Sequence, residues 1–265
     1  MKIEIFNELN KIDLIVDFVA TMSIHGSEGV RCDLEKTIRH DDDFVLVAKE
    51  KDVICGVFSF FVEHQNNYLE MTYAFCNNKA AYDALITYLT HSFKNYQLDV
   101  VIKSENPLLE QALKQLGGVF YPVQIKMVLT EFNEYNHSLK VVEYDASYRK
   151  QYLALHSTDV YWTGERVLDN LNIFKVFLAL SDNSVVGYID TTYTHQENEP
   201  YDFFVREQDR NKGYGKALVN AMVKATYPNN IFVFVDIDNL PAIHVFSSLG
   251  FVQTQEKIQT VTIKL

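Results

Sequence analysis

Apolar residues fall in short runs separated by polar turns along nearly the whole chain, and the spacing within the runs switches between strand and helix periods. Residues 44–48 and 53–60 read as a hairpin, and residues 176–180 and 185–190 read as another. In the first half a strand at 69–75 precedes a helix at 82–88. In the second half the pattern predicts a strand at 140–144, helices over 146–159 and 164–171, and a strand at 201–205. A helix opening at 210–215 and running through Met222 follows, then a strand at 231–235, a helix from Pro241, and two closing strands at 252–258 and 260–265. Such alternation predicts an α+β (mixed α/β) class.

The two halves repeat each other. Eight residues separate Gly56 from His64 and Gly187 from His195, and eleven separate Asn106 from Gly117 and Asn239 from Gly250. Each of the longer intervals holds an Asn, a proline, an apolar helix and a Leu-Gly pair. Duplicated units are expected, spanning 1–130 and 139–265, with residues 130–138, rich in Asn, Glu and Tyr, as linker.

The halves differ where the second carries Arg210-Asn211-Lys212-Gly213-Tyr214-Gly215-Lys216 at its helix start. Unpaired N–H groups and the positive end of the helix dipole converge there on an anion, and glycines allow close approach. The residues suit a pyrophosphate. A P-loop is excluded because Ala217 follows Gly215-Lys216, and a dinucleotide fingerprint because Leu218 replaces the third glycine. In the first half Cys76-Asn77-Asn78-Lys79-Ala80-Ala81 has no glycine pair, so no cradle is expected there.

One helix and one strand downstream of the cradle lies Asn239-Leu240-Pro241-Ala242-Ile243-His244-Val245-Phe246-Ser247-Ser248-Leu249-Gly250-Phe251. Together the two segments resemble, in order and spacing, the V-x-P-x-x-[RQ]-G-x-G-x-[GA] and N-x-x-A-x-x-[LV]-[YF]-x-x-x-G-F motifs of the GNAT family of acyl-CoA-dependent N-acetyltransferases. The resemblance implies two GNAT-like domains, each a central mixed, mostly antiparallel sheet with helices on both faces. The first is degenerate; the second holds acetyl-CoA. It also implies that Phe204 and Val205 present backbone to the pantetheine arm, that Arg210 through Lys216 hold the pyrophosphate, and that Asn239 and Phe246 face the cofactor. Three residues depart from the motifs. Glu207 replaces a proline, Asn211 a glycine, and Phe246 the tyrosine that often protonates the departing thiolate.

Composition narrows the setting. The chain has 265 residues, 48% of them apolar, a net charge of -11 and no clustered basic face, which argues against nucleic acid. The three cysteines, Cys32, Cys55 and Cys76, lack C-x-x-C spacing, so neither a disulfide framework nor a metal site is expected, and a reducing cytoplasm fits. There is no signal-peptide pattern and no long uncharged apolar run, so no membrane association is expected.

An amine attacking a thioester must lose a proton, which a carboxylate of raised pKa can take. In several GNAT enzymes the base is a glutamate near the start of the strand entering the cradle, and Glu199 stands there; the bland reading is a solvated strand-end residue before Pro200. Asp202, an acid inside an apolar strand, is the other candidate. Tyr193, Tyr201 and Tyr214 are candidate thiolate donors, and His195 and His244 are expected at the surface. The segment 156–166, with Trp162, Asp159 and Glu165, is expected to form either an acceptor wall or a packed turn. The function implied is acyl transfer, by direct attack in a ternary complex, to a small-molecule or peptide amine; a homodimer is compatible with it. A non-catalytic acyl-CoA-binding or interaction module is the competing class.

Overall fold

The computed structural model describes residues 1–22, 27–103, 106–158, 160–194 and 196–265. His195 and Asp159, singled out above, lie outside the described residues. The chain forms two compact units, one made of residues 1–123 and 258–265 and the other of residues 124–257.

The first unit runs β1 (Lys2–Phe6), α1 (Ile12–Ala20), α2 (Ser27–Arg39), β2 (Phe44–Glu50), β3 (Val53–Glu63), β4 (Tyr68–Cys76), α3 (Lys79–Ser92), β5 (Gln97–Ile102) and α4 (Pro107–Gln115). Strand β6 (Val119–Leu129) starts in it and ends in the second unit. Strands β1 to β4 pair antiparallel in sequence order, whereas β4 and β5 are parallel from Tyr68↔Gln97 to Met71↔Val100. One face packs Phe58, Phe60, Leu69 and Met71 against α3 and α4; the other packs Val45, Val47 and Val57 against α1 and α2.

The second unit continues with β7 (Lys140–Glu143), α5 (Arg149–Leu153), α6 (Gly164–Asp169), β8 (Phe174–Ser181), β9 (Ser184–Thr192), β10 (Glu197–Asn198), β11 (Pro200–Val205), α7 (Tyr214–Thr226), β12 (Asn230–Asp236), α8 (Leu240–Ser248) and β13 (Phe251–Lys264). Strands β7, β8, β9 and β11 form one antiparallel sheet. Strand β10 pairs parallel with β12, and β12 pairs antiparallel with the end of β6. Leu218, Met222 and Val223 of α7 bury one face with Phe246 of α8, and Tyr152 and Val167 cover the other. Mixed sheets with helices on both faces are therefore found in both units.

The repeat extends to irregularities that composition hides. Both hairpins turn on two left-handed residues, Lys51-Asp52 and Asp182-Asn183, whose positive φ matches strand twist in a tight turn. Register shifts follow Ala48 in one unit and Ala179 in the other. A second shift makes Thr72 the extra residue of β4 and Tyr201 that of β11.

The domain limits differ from those expected. Residues 124–128 pair with β12, so the boundary falls inside β6, and the segment 130–138 belongs to the second unit. Its backbone is tied there by Thr130 and Asn133 N–H groups donating to the Gly250 and Leu249 carbonyls. The two closing strands are one, β13, whose residues 259–264 pair with β5 of the first unit. Helices α5 and α6 are shorter than predicted, and α5 is preceded by a 3-10 turn at Ala146–Tyr148.

Candidate active site

Strand β10 holds β12 only at Glu197↔Asn230 and Asn198↔Ile231; beyond that β11 pairs with β9 and leaves β12. A wedge opens at residue 199. At the far end of β11 the chain turns through Arg210 and left-handed Asn211 (φ 62) into Gly213 (φ 91), the N-cap of α7. Gly213 makes no side-chain cap, so the first N–H groups of α7 are not met by a cap side chain. A Cβ at Gly213 would stand 2.7 Å from the Tyr135 hydroxyl, and one at Gly215 3.2 Å from the Phe203 ring. At Gly213 the left-handed backbone (φ 91) favours glycine in its own right.

The equivalent helix start in the first unit is closed by its own sequence. Asn78 caps α3, its side-chain oxygen accepting from the Ala80 and Ala81 N–H groups at 2.9 and 3.4 Å. A side chain fills in one unit what glycine leaves open in the other.

The basic residues of the cradle are exposed, Lys216 partly. Arg210 Nε donates to the Val205 carbonyl at 3.1 Å, and Lys212 pairs with Asp209 at 3.0 Å. Phe204 packs with Tyr188, their rings 6.1 Å apart. Two side chains expected at the cofactor are elsewhere: Phe246 is 1% exposed and packs on Phe203 and Phe251, and Tyr214 is buried in the same core. Both lie on the apolar stripe that α7 and α8 turn inward. Asn239 caps α8, accepting from the Ala242 N–H at 3.2 Å, as Asn106 caps α4. Of the candidate proton donors, Tyr193 is half-buried beneath Lys175 and Tyr201 is half exposed; His244 lies at the surface as expected.

Glu199 sits where the wedge opens. Its N–H donates to Thr192 Oγ1 at 3.0 Å and its carbonyl accepts from the Thr192 N–H at 3.1 Å, fixing the backbone. Burial pushes its carboxyl up to about 7, with the charge of Lys126 opposing. Lys126 pairs with Glu256 at 3.1 Å and lies over Phe232 and Phe234, 4.6 and 5.9 Å from their centroids.

Asp202 belongs to a network that sequence reading did not find. Its carboxylate accepts from the Tyr188 hydroxyl at 2.6 Å and the Phe203 N–H at 2.8 Å. Beside it, Asp190 accepts from the Tyr152 hydroxyl at 2.8 Å and faces His156 Nε2 at 2.7 Å. His156 Nδ1 faces the Ser157 carbonyl, which only accepts, so that nitrogen carries a proton. Burial raises Asp190 to about 6; burial alone would lower His156, but its bonds to Asp190 and Ser157 raise it. Tyr152 and His156 both meet Asp190 Oδ2, while Oδ1 is buried without a partner among the described residues; an acid inside the apolar strand β9 was the available signal.

Trp162 and its neighbours form an aromatic set rather than a bare turn. Its ring lies 4.8 Å from Phe174 and 6.1 Å from Tyr201, with Phe174 and Tyr201 5.7 Å apart. Glu165 is exposed in the first turn of α6. Among the described residues no group of three or more His, Cys, Asp or Glu could hold a metal ion, and no helix is long and apolar enough to cross a membrane.

Residues 140–251 match the Acetyltransferase (GNAT) family, and the whole chain has the fold of tandem GNAT proteins. It is similar to a tandem GNAT protein from the clavulanic acid biosynthesis pathway, at 11% identity and a TM-score of 0.61, over 99% of this chain and 98% of that one. A GCN5-related N-acetyltransferase from Sphaerobacter thermophilus is similar at 12% identity and a TM-score of 0.65, over 99% and 95%. A GNAT-family acetyltransferase from Colwellia psychrerythraea is similar at 10% identity and a TM-score of 0.56, over the full length of both. No curated protein matches the sequence.

Proposed function

We propose that the second unit transfers an acyl group, acetyl in the simplest case, from its coenzyme A thioester to a primary amine, with Glu199 as general base. The observation that carries this is the position of Glu199, a desolvated carboxyl near pKa 7 where β11 parts from β12. Coenzyme A brings an activated acyl carbon and a good leaving group. Residues 210–216 hold its pyrophosphate on the N–H groups at the start of α7, with Arg210, Lys212 and Lys216 adding charge. Backbone N–H of the splayed strand near Phe204 and Val205 polarises the thioester carbonyl. Glu199 takes the proton of the attacking ammonium, directly or through water, as nitrogen bonds to the acyl carbon and the C–S bond breaks. The sulfur leaves as a thiolate, whose thiol has a pKa of about 8.5, and takes the second proton shed by nitrogen, directly or through water, so no dedicated acid is needed in place of the buried Phe246.

The first unit, with Asn78 filling its helix start, is read as a degenerate copy that does not bind the cofactor. Three free cysteines accord with a reducing cytoplasm.

Two variants test separate links. Gly213→Asp is expected to abolish coenzyme A binding in calorimetry, and unchanged affinity would refute the cradle. Glu199→Gln is expected to lower turnover about 10²-fold or more and to remove its rise between pH 6 and 8; unaltered kinetics would take Glu199 out of the mechanism.

A further inference from the structure

We infer that the acceptor is an arylalkylamine, a primary amine carrying an uncharged aromatic ring a few bonds from its nitrogen; this rests on the acyl-transfer reading of the same site. Phe174 pairs with Thr192, Thr192 bonds Glu199, and Phe232 is the next residue of β12 after the last parallel pair. The strands part at Glu199 and belong to separate sheets, so Glu199 stands where the wedge opens, with Thr192 and its partner Phe174 on the β9–β8 side and Phe232 next along β12 on the other. On the β11 side stand Trp162 and Tyr201, both packed on the buried Phe174; Tyr201 is the bulge residue of β11 and is 50% exposed.

On the β12 side Phe232 and Phe234 are half-buried, their rings 5.8 Å apart. Their neighbours Ile231, Val233 and Val235 point the other way into the core beneath α7, and neither phenylalanine joins a buried cluster of the described residues. Two phenylalanines outside the core clusters of the described residues, on a strand lining the wedge, suit a ligand ring, which gains from edge-to-face contact beyond its buried area.

Lys126, over Phe232, bears on the charge of Glu199 and is paired with Glu256, and both Asp202 oxygens accept hydrogen bonds from Tyr188 and Phe203. The geometry provides one place for an amine and rings for the remainder of the molecule.

Trp162 is the sole tryptophan of the chain, so its emission reports occupancy without any turnover. The full-length protein is titrated with 2-phenylethylamine, n-butylamine and spermidine, with Trp162 fluorescence as readout. Saturable binding of 2-phenylethylamine at least tenfold tighter than the other two is expected, shrinking to threefold or less in Phe232→Leu and Tyr201→Leu, which keep apolar bulk without a ring. Equal or tighter binding of n-butylamine or spermidine, or a preference that survives in both variants, would overturn the inference. Thiol release with the same amines and acetyl-CoA is scored separately: selective binding without release would refute acyl transfer while leaving the aryl site standing.

Discussion

At the scale of single residues, Glu199 links stability to chemistry. Its carboxyl is raised from an ordinary 4.5 to about 7 by burial, so the folded protein holds a proton there that the unfolded chain releases. The stabilisation is complete below pH 4.5 and is lost as pH rises toward 7, because ionised Glu199 must be desolvated. Glu199→Gln should therefore be more stable than the parent at pH 8, by on the order of 2 kcal/mol, and nearly equal to it at pH 4. Denaturant titrations at the two pH values check the sign. Lys126 acts in the opposite sense, since its charge favours the carboxylate. In Lys126→Met the Glu199 pKa should move up and the rising limb of kcat/KM should shift to higher pH; carbon-13 NMR of the carboxyl follows the same change without substrate.

At the scale of elements, much of the chain was legible because each strand and helix carried its own period. The hairpins, β11, β12 and the glycine-opened α7 stand within a few residues of where apolar spacing put them. What failed was pairing at a distance. Residues 252–258 and 260–265 read as two strands parted at polar Gln259, yet the backbone stays extended through it as one strand, Phe251–Lys264. The His156–Asp190 contact joins residues 34 apart, and no local pattern announces it. Phe246 was misplaced because its motif position specifies the helix but not the face turned inward. The Asn78 cap, by contrast, is a local device with a local cost. Asn78→Ala should destabilise the first unit by about 1 kcal/mol, measured by chemical denaturation, and should leave coenzyme A affinity of the second unit unchanged.

At the scale of the whole molecule, the units are separate cores whose chain segments are exchanged. Residues 258–265 complete the first unit, with Val261 and Ile263 buried in its core and residues 259–264 paired with β5. Removing them deletes three buried side chains, Ile258, Val261 and Ile263, each worth about 1.5–3 kcal/mol, together with a whole strand of hydrogen bonds. Amide exchange of a chain ending at residue 257 should show protection lost across β4 and β5 and kept in α7 and β12. A second unit cut at residue 139 would conversely lack residues 124–128, which pair with β12.

The same exchange of strands reverses the usual order of events on the ribosome. Vectorial synthesis ordinarily lets an N-terminal domain fold while the next is still being made. Here the first unit waits for a strand translated only after every residue of the second, so its half-built sheet emerges with the edge of β5 unpaired. That exposed edge is a template for pairing with other chains. Until the last strand arrives, the unit made first is the one most in need of a chaperone.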